Sequence, residues 1–311
     1  MTLLPEFADY LEMRSKMNVP LPWETSIEEF RKLTLPNPKF IGIPEEIHSV
    51  EHRVISGPTS YLLIRIYRPN AKPNLPVMVY FHGGGWVIGN MDGFEPTVRS
   101  LSNKGELVVV QVQYQKAPER PFPIPFDDCY RTLEWVVQNA ATLGIDGSRI
   151  GVGGDSAGGN LAAAVALKAR DTGLVKLAFQ MLIYPCTGND GNLPSAINYK
   201  EGFGLTSKMM RWYEDQYAQK EEFRSHPYAF PAYSKDLKGV APAVLAIAEY
   251  DTLADDGRVF AEYLKRDGVN TIFMEFKGAI HGFNALAGVA PKYAQETQEF
   301  LAKSVNDLMG R

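Results

Sequence analysis

Ser156 stands in the run Gly154-Asp155-Ser156-Ala157-Gly158-Gly159, between an apolar stretch ending at Gly154 and the alanine-rich stretch Asn160 to Arg170. Read as a short buried strand followed by a helix, this places the serine on an abrupt bend. Such a bend needs residues without a Cβ two places before and two places after it. It presents Oγ at the head of a helix, on the C-terminal edge of a sheet. The pattern is short and equally fits a plain glycine-rich turn, so its meaning rests on partners elsewhere. Upstream, His82-Gly83-Gly84-Gly85-Trp86 follows the apolar run VMVYF. Glycines there leave backbone N–H groups unobstructed, and a tetrahedral intermediate of acyl transfer needs two or three such donors aimed at its oxyanion. Ala157, just after the serine at a helix N-terminus, offers a further donor. His82 precedes the serine and reads as a brace for the glycine loop.

A serine hydroxyl is a weak nucleophile and needs a base that is itself oriented by a third group. In a strand-turn-helix setting the chain order is serine, acid, histidine. Only His226 and His281 follow Ser156. His226 lies beside Pro227, in a segment without strands. His281 follows the last predicted strand and a short loop, KGAI, from which it reaches back over the sheet edge, and it is the favoured base. Asp251, at the end of AVLAIAEY, is the favoured acid. Asp255 is second, because with Asp256 it suits the first turn of a helix, where carboxylates are stabilised. Glu249 alternates into or beside the sheet, and Asp155 reads as a group that holds the bend.

Strands are predicted at Tyr61–Tyr67, Val77–Phe81, Leu107–Val112, Ile150–Gly153, Ala178–Tyr184, Val244–Ala248 and Ile272–Phe276. Helices are predicted at Pro96–Lys104, Asp127–Ala140, Ala157–Arg170, Asp256–Asp267 and Ala290–Leu308. That alternation specifies a mostly parallel α/β sheet covered on both faces. Residues 1–45 are broken by prolines and carry two short amphipathic helices. Residues 186–236 interrupt the rhythm: a Gly/Asn-rich loop at 187–192 precedes a helix at Ser207–Ala218, and a segment of that length suits a substrate wall.

The chain has 311 residues, 45% apolar and 22% charged, with net charge −4, which describes a globular protein and argues against a nucleic-acid partner. Its two cysteines and five histidines show no metal-ligand spacing. No apolar stretch approaches the length of a membrane span, and the N-terminus lacks the basic start of a signal peptide. No membrane anchor is expected, and the expected location is the cytoplasm.

HGGGW, YQKAPERPFPIPFDDC (Tyr114 to Cys129), GDSAGGN, EYDTLADDG (Glu249 to Gly257) and IHGF occur in this order. Together they resemble the hormone-sensitive-lipase family of α/β-hydrolases over roughly residues 45 to 305. The resemblance implies an eight-stranded α/β-hydrolase domain from 46–185 and 237–311, with a helical cap from 1–45 and 186–236. It implies a carboxylic-ester hydrolase without a cofactor or metal, acting on small-molecule esters with short or medium acyl chains. Ser156 matches the family nucleophile, Asp251 the acid and His281 the base; Gly83, Gly84 and Ala157 match the oxyanion donors, with His82, Gly85 and Asp155 in support. Trp86, Phe203, Leu205 and Phe283 are candidate pocket residues. Phe203 and Leu205, with Met209, Met210, Trp212, Tyr213 and Tyr217, suit either a pocket or simple packing. Dimers through a sheet edge occur in the family, so a homodimer is carried as an expectation. The chain departs from the family at Thr252, where proline is usual, at Asp256 for glutamate, at Gln115 and Lys116 for arginine and leucine, and at His226 for aspartate. The rival readings are an amide, carbamate or lactone hydrolase and a non-catalytic ligand-binding protein.

Overall fold

The computed structural model describes residues 2–188 and 191–311. Eight strands form one sheet: β1 (Ser49–Ser56), β2 (Tyr61–Arg68), β3 (Leu75–Phe81), β4 (Val108–Val112), β5 (Ile145–Asp155), β6 (Phe179–Ile183), β7 (Ala243–Tyr250) and β8 (Thr271–Ile280). Their spatial order is β1-β2-β4-β3-β5-β6-β7-β8. β1, β2 and β4 pair antiparallel, and every neighbour from β4 to β8 is parallel. The helices are α1 (Pro5–Lys16), α2 (Ile27–Leu33), α3 (Pro38–Ile41), α4 (Glu95–Gly105), α5 (Ile124–Gln138), α6 (Ala157–Thr172), α7 (Pro194–Asn198), α8 (Ser207–Tyr217), α9 (Ala254–Arg266) and α10 (Pro291–Leu308).

The central strands are buried on both faces, which is why their sequences read as continuous apolar runs. Side chains alternate along β3. Val77, Val79 and Phe81 pack with Phe126 of α5, Leu161 of α6 and Phe260 of α9. Met78 and Tyr80 pack on the opposite side with Leu101 of α4 and Leu301 of α10. Phe30 of α2 and Met210, Tyr213 and Tyr217 of α8 extend the first of these cores.

Two strand expectations are corrected. β1 was not predicted, because SVEHRVIS on a solvated edge buries only Ile55 and so shows no clean alternation. KGAI is the end of β8 and not a loop. Between the pairs Ala248↔Phe276 and Tyr250↔Ile280 the register shifts, with β8 carrying the extra residues. Gly278, at φ +70°, lies in that irregularity, and its N–H donates to the Glu249 carboxylate at 2.8 Å. The shift leaves Ile280 opposite Tyr250, so the residues that follow, His281 and Asp251, emerge side by side. In the insertion, α8 forms as expected, while part of the Gly/Asn-rich loop at 187–192 lies outside the described residues. Among the described residues no helix is long and apolar enough to cross a membrane.

Leu301 of α10 is fully buried in the core on the α10 side of the sheet, a core that does not include Ser156, Asp251 or His281. Leu301→Ala is expected to lower unfolding free energy by about 2–5 kcal/mol, as read by urea denaturation. A loss below about 1 kcal/mol would mean that this face carries little of the stability.

Candidate active site

Ser156 joins β5 to α6 at φ +53°, ψ −120°, a conformation that non-glycine residues avoid. Its neighbours make room for it. A Cβ on Gly154 would overlap the Gly158 carbonyl, and one on Gly158 would overlap the Phe81 carbonyl oxygen. The bend is tied down by Ser156 N–H donating to Ile183 O (2.8 Å) and Asn160 N–H donating to Ser156 O (3.0 Å).

His281 Nε2 lies 2.9 Å from Ser156 Oγ, and His281 Nδ1 lies 2.7 Å from Asp251 Oδ2. The other Asp251 oxygen accepts the Leu253 N–H at 2.9 Å. A buried carboxylate accepts but does not donate, so the Nδ1 proton points at Asp251 and Nε2 is left to accept from Ser156. The ring of Tyr184, at the end of β6, packs 4.8 Å from the His281 ring, a contact that no sequence motif signalled. The alternatives go elsewhere. Asp255 pairs with Arg258 (2.5 Å) and accepts the Ser195 N–H, Glu249 serves the β8 irregularity, and His226 packs beside Phe122 and Tyr228.

The glycine loop reaches Ser156 through the register of β3 on β5, in which Phe81 pairs with Gly154. His82 is buried between the rings of Tyr114 (4.4 Å) and Phe94 (5.7 Å), and its Nδ1 bonds the Gly83 carbonyl at 2.8 Å. Burial, reinforced by Lys116, pushes its pKa down to about 3, so the ring is neutral. Asp155 Oδ1 accepts from both Tyr80 Oη (2.8 Å) and Gly83 N–H (3.0 Å). That corrects one expectation. The Gly83 N–H is already bonded and is not free to meet an oxyanion. Gly84 N–H, Gly85 N–H and Ala157 N–H have no acceptor among the described residues. Burial pushes the Asp155 carboxyl up to about 7 despite those hydrogen bonds.

Two pocket expectations are also corrected. Trp86 is wholly buried and stacks on Tyr217 of α8 (4.3 Å, 4°). Phe283 is wholly buried with Tyr184 and Phe276 in the α10-side core. Phe203 stacks on Tyr250, the residue before Asp251, and half-buried Leu205 packs on the main core. A cavity of about 210 Å³ lies between the insertion and the start of α9, lined among others by Met210, Glu214, Phe230, Thr252, Leu253 and Asp256. Burial, helped by Asp256, raises the Glu214 carboxyl to about 7. Among the described residues no cluster of His, Cys, Asp and Glu is placed to hold a metal ion.

A strained serine at a strand-to-helix bend, with a histidine and an acid from two later strand ends, defines an α/β-hydrolase. The family described as alpha/beta hydrolase fold matches residues 78–285, and the chain belongs to it, in its hormone-sensitive-lipase-like branch. It is 40% identical over 243 residues to carboxylesterase NlhH of Mycobacterium tuberculosis, covering 77% of this chain and 76% of that protein. It is 31% identical to an ethyl acetate hydrolase of Pseudomonas putida, covering 93% and 94%. Among solved structures, an ester hydrolase from the metagenome of Lake Arreo, complexed with a bipyridine phosphonate derivative, superposes with a TM-score of 0.94 at 33% identity, with all of both chains covered.

The raised Asp155 carboxyl makes stability depend on pH. Between its ordinary 3.8 and about 7, the folded chain holds a proton that the unfolded chain has released. This contribution to stability is therefore complete below about pH 4 and lost as pH rises through 7. Asp155→Asn keeps an Oδ1 to accept from Tyr80 and Gly83 but cannot titrate. Its Tm relative to the parent should rise from about pH 4 to pH 7 and level off above that in thermal melts. Parallel curves would show that Asp155 has the same pKa folded and unfolded.

Proposed function

We propose that the chain is a serine carboxylesterase that hydrolyses short- to medium-chain carboxylic esters through an acyl-enzyme. The observation that carries this reading is the continuous hydrogen-bonded chain Ser156 Oγ–His281–Asp251, at 2.9 and 2.7 Å, beside backbone N–H groups that have no acceptor among the described residues. His281 Nε2 takes the Ser156 proton as Oγ attacks the ester carbonyl. Asp251 holds the ring in the reacting tautomer and stabilises the imidazolium that forms. Gly84, Gly85 and Ala157 N–H groups receive the oxyanion. Gly83 instead fixes the loop through Asp155, so that its neighbours are preorganised before charge develops. His281 returns the proton to the departing alcohol. It then draws a proton from water, which attacks the acyl-enzyme and releases the acid.

Supporting the ester class are relatives that carry the names carboxylesterase and ethyl acetate hydrolase. Supporting a short or medium acyl group is the aromatic filling around the oxyanion loop. Trp86, Tyr217 and Phe230 pack edge-to-face or stacked with no accessible surface on the Trp86 ring, and so take up room that a long chain would need.

Ser156→Ala should lower kcat/KM on p-nitrophenyl acetate or butyrate by at least about 10³-fold while leaving the circular dichroism spectrum and Tm near those of the parent. A fluorophosphonate should label the parent and not the variant. Across C2 to C16 p-nitrophenyl esters, turnover should peak at C2 to C8. A parent that cleaves anilides or lactones faster than these esters would overturn the ester assignment.

A further inference from the structure

Thr252, where the family usually has proline, follows the acid Asp251 directly and is bonded into the insertion through its side chain. Ser207 Oγ, at the first residue of α8, donates to the Ala196 carbonyl at 2.6 Å and lies 2.7 Å from Thr252 Oγ1. A hydroxyl has one proton, so Thr252 is the donor of that second bond. The Thr252 carbonyl accepts from Ser195 Oγ at 3.0 Å. Ser195 also closes a reciprocal pair with Asp255, its N–H meeting the carboxylate at 2.7 Å and its Oγ accepting the Asp255 N–H at 2.9 Å. The acid loop is thus held by two serines of the insertion, and Ser195 and Thr252 are both buried.

The other end of α8 is bonded to the opposite side of the site. The Tyr213 ring lies so close over Gly85 that any Cβ there would overlap it, and Tyr217 stacks on Trp86 at 4.3 Å. The Tyr217 carbonyl accepts the Phe122 N–H at 2.9 Å, which pins the last turn. The first turn is pinned as well, with Thr206 Oγ1 accepting the Met209 N–H at 3.0 Å. At 1.5 Å rise per residue, Ser207 and Tyr213 are about 9 Å apart along the axis. One short helix therefore spans from the loop that carries the acid to the loop that carries the free N–H donors.

From this geometry we infer that α8 is a strut that sets the spacing between the acid loop and the oxyanion loop, and that Thr252 is the positioning residue through which it does so. The inference rests on the reading of Ser156, His281 and Asp251 as the working triad. Thr252 touches no reacting atom. Its hydroxyl fixes the backbone from which Asp251 reaches His281 Nδ1, and small displacements of such groups cost large factors in rate. A chain with proline at this position could not make the bond to Ser207. The stiffness that the ring would give the loop is supplied here by the helix.

The test is steady-state hydrolysis of p-nitrophenyl butyrate at 25 °C by the parent, Thr252→Val, Thr252→Ser, Ser207→Ala, the double variant Thr252→Val/Ser207→Ala, and Leu301→Ala. Thr252→Val and Ser207→Ala should each lower kcat about tenfold with KM within twofold. Thr252→Ser should restore kcat to within twofold of the parent. The double variant should lose no more than the worse single one, since both cut the same link. Leu301→Ala, more destabilised in urea, should keep kcat within twofold. An inactive parent would sink the esterase reading itself. An active parent overturns the strut if Thr252→Val and Ser207→Ala keep kcat within twofold, if the two losses multiply, or if Leu301→Ala loses as much kcat as they do.

Discussion

The close approach of β3, β5 and α6 at Ser156 is the constraint on which the site depends. At φ +53° the serine turns the chain from strand to helix within one residue, and Gly154 and Gly158 lie against carbonyl groups with no room for a Cβ. Because Gly158 sits on the Phe81 carbonyl, the bend also fixes where β3 ends. The glycine loop therefore starts at the level of the serine hydroxyl. Ser156 and the glycine loop are positioned by one steric contact, and the strain at Ser156 is sustained by the burial of the elements around it.

Asp155 adds a second use of the same bend. Its carboxylate accepts from Tyr80 and from Gly83, so the residue beside the nucleophile organises the loop opposite. By engaging the Gly83 N–H it leaves those of Gly84 and Gly85 without an acceptor among the described residues. Asp251 and His281 arrive by a different device. The irregularity in β8, filled by Glu249 and Gly278, brings Ile280 opposite Tyr250 and sets Asp251 beside His281. The sheet thus delivers three side chains to one edge, while the insertion ties the acid loop and the oxyanion loop together from above.

Much of this was legible in the chain itself. The glycine spacing around Ser156, the glycine run after VMVYF and the strand-ending Asp251 identify residues whose local geometry follows from backbone sterics and hydrophobic periodicity. Strand β1 was not legible, because a solvated edge imposes no alternation on SVEHRVIS. The end of β8 was misread as a loop because Lys277 and Gly278 break the apolar pattern where the register shifts. Trp86 and Phe283 have the composition of pocket walls, but composition does not distinguish a ring that lines space from one that fills it. Both are wholly buried.

Sequence alone singled out Ser156, Asp251 and His281 and their order, because each stands among residues that mark a strand end or a sharp bend, and short-range sterics do not wait for the fold; the structure brings the three into one hydrogen-bonded chain. Only the tertiary structure decided which N–H groups of the glycine loop keep no acceptor among the described residues, since Gly83 and the Asp155 carboxylate that takes its N–H are 72 residues apart. It also decided that Thr252, read from the chain as a departure from the family pattern, bonds Ser207. Hydrogen-bond donors are satisfied by whatever acceptor packing brings near them, and that outcome is a property of the whole assembled sheet edge.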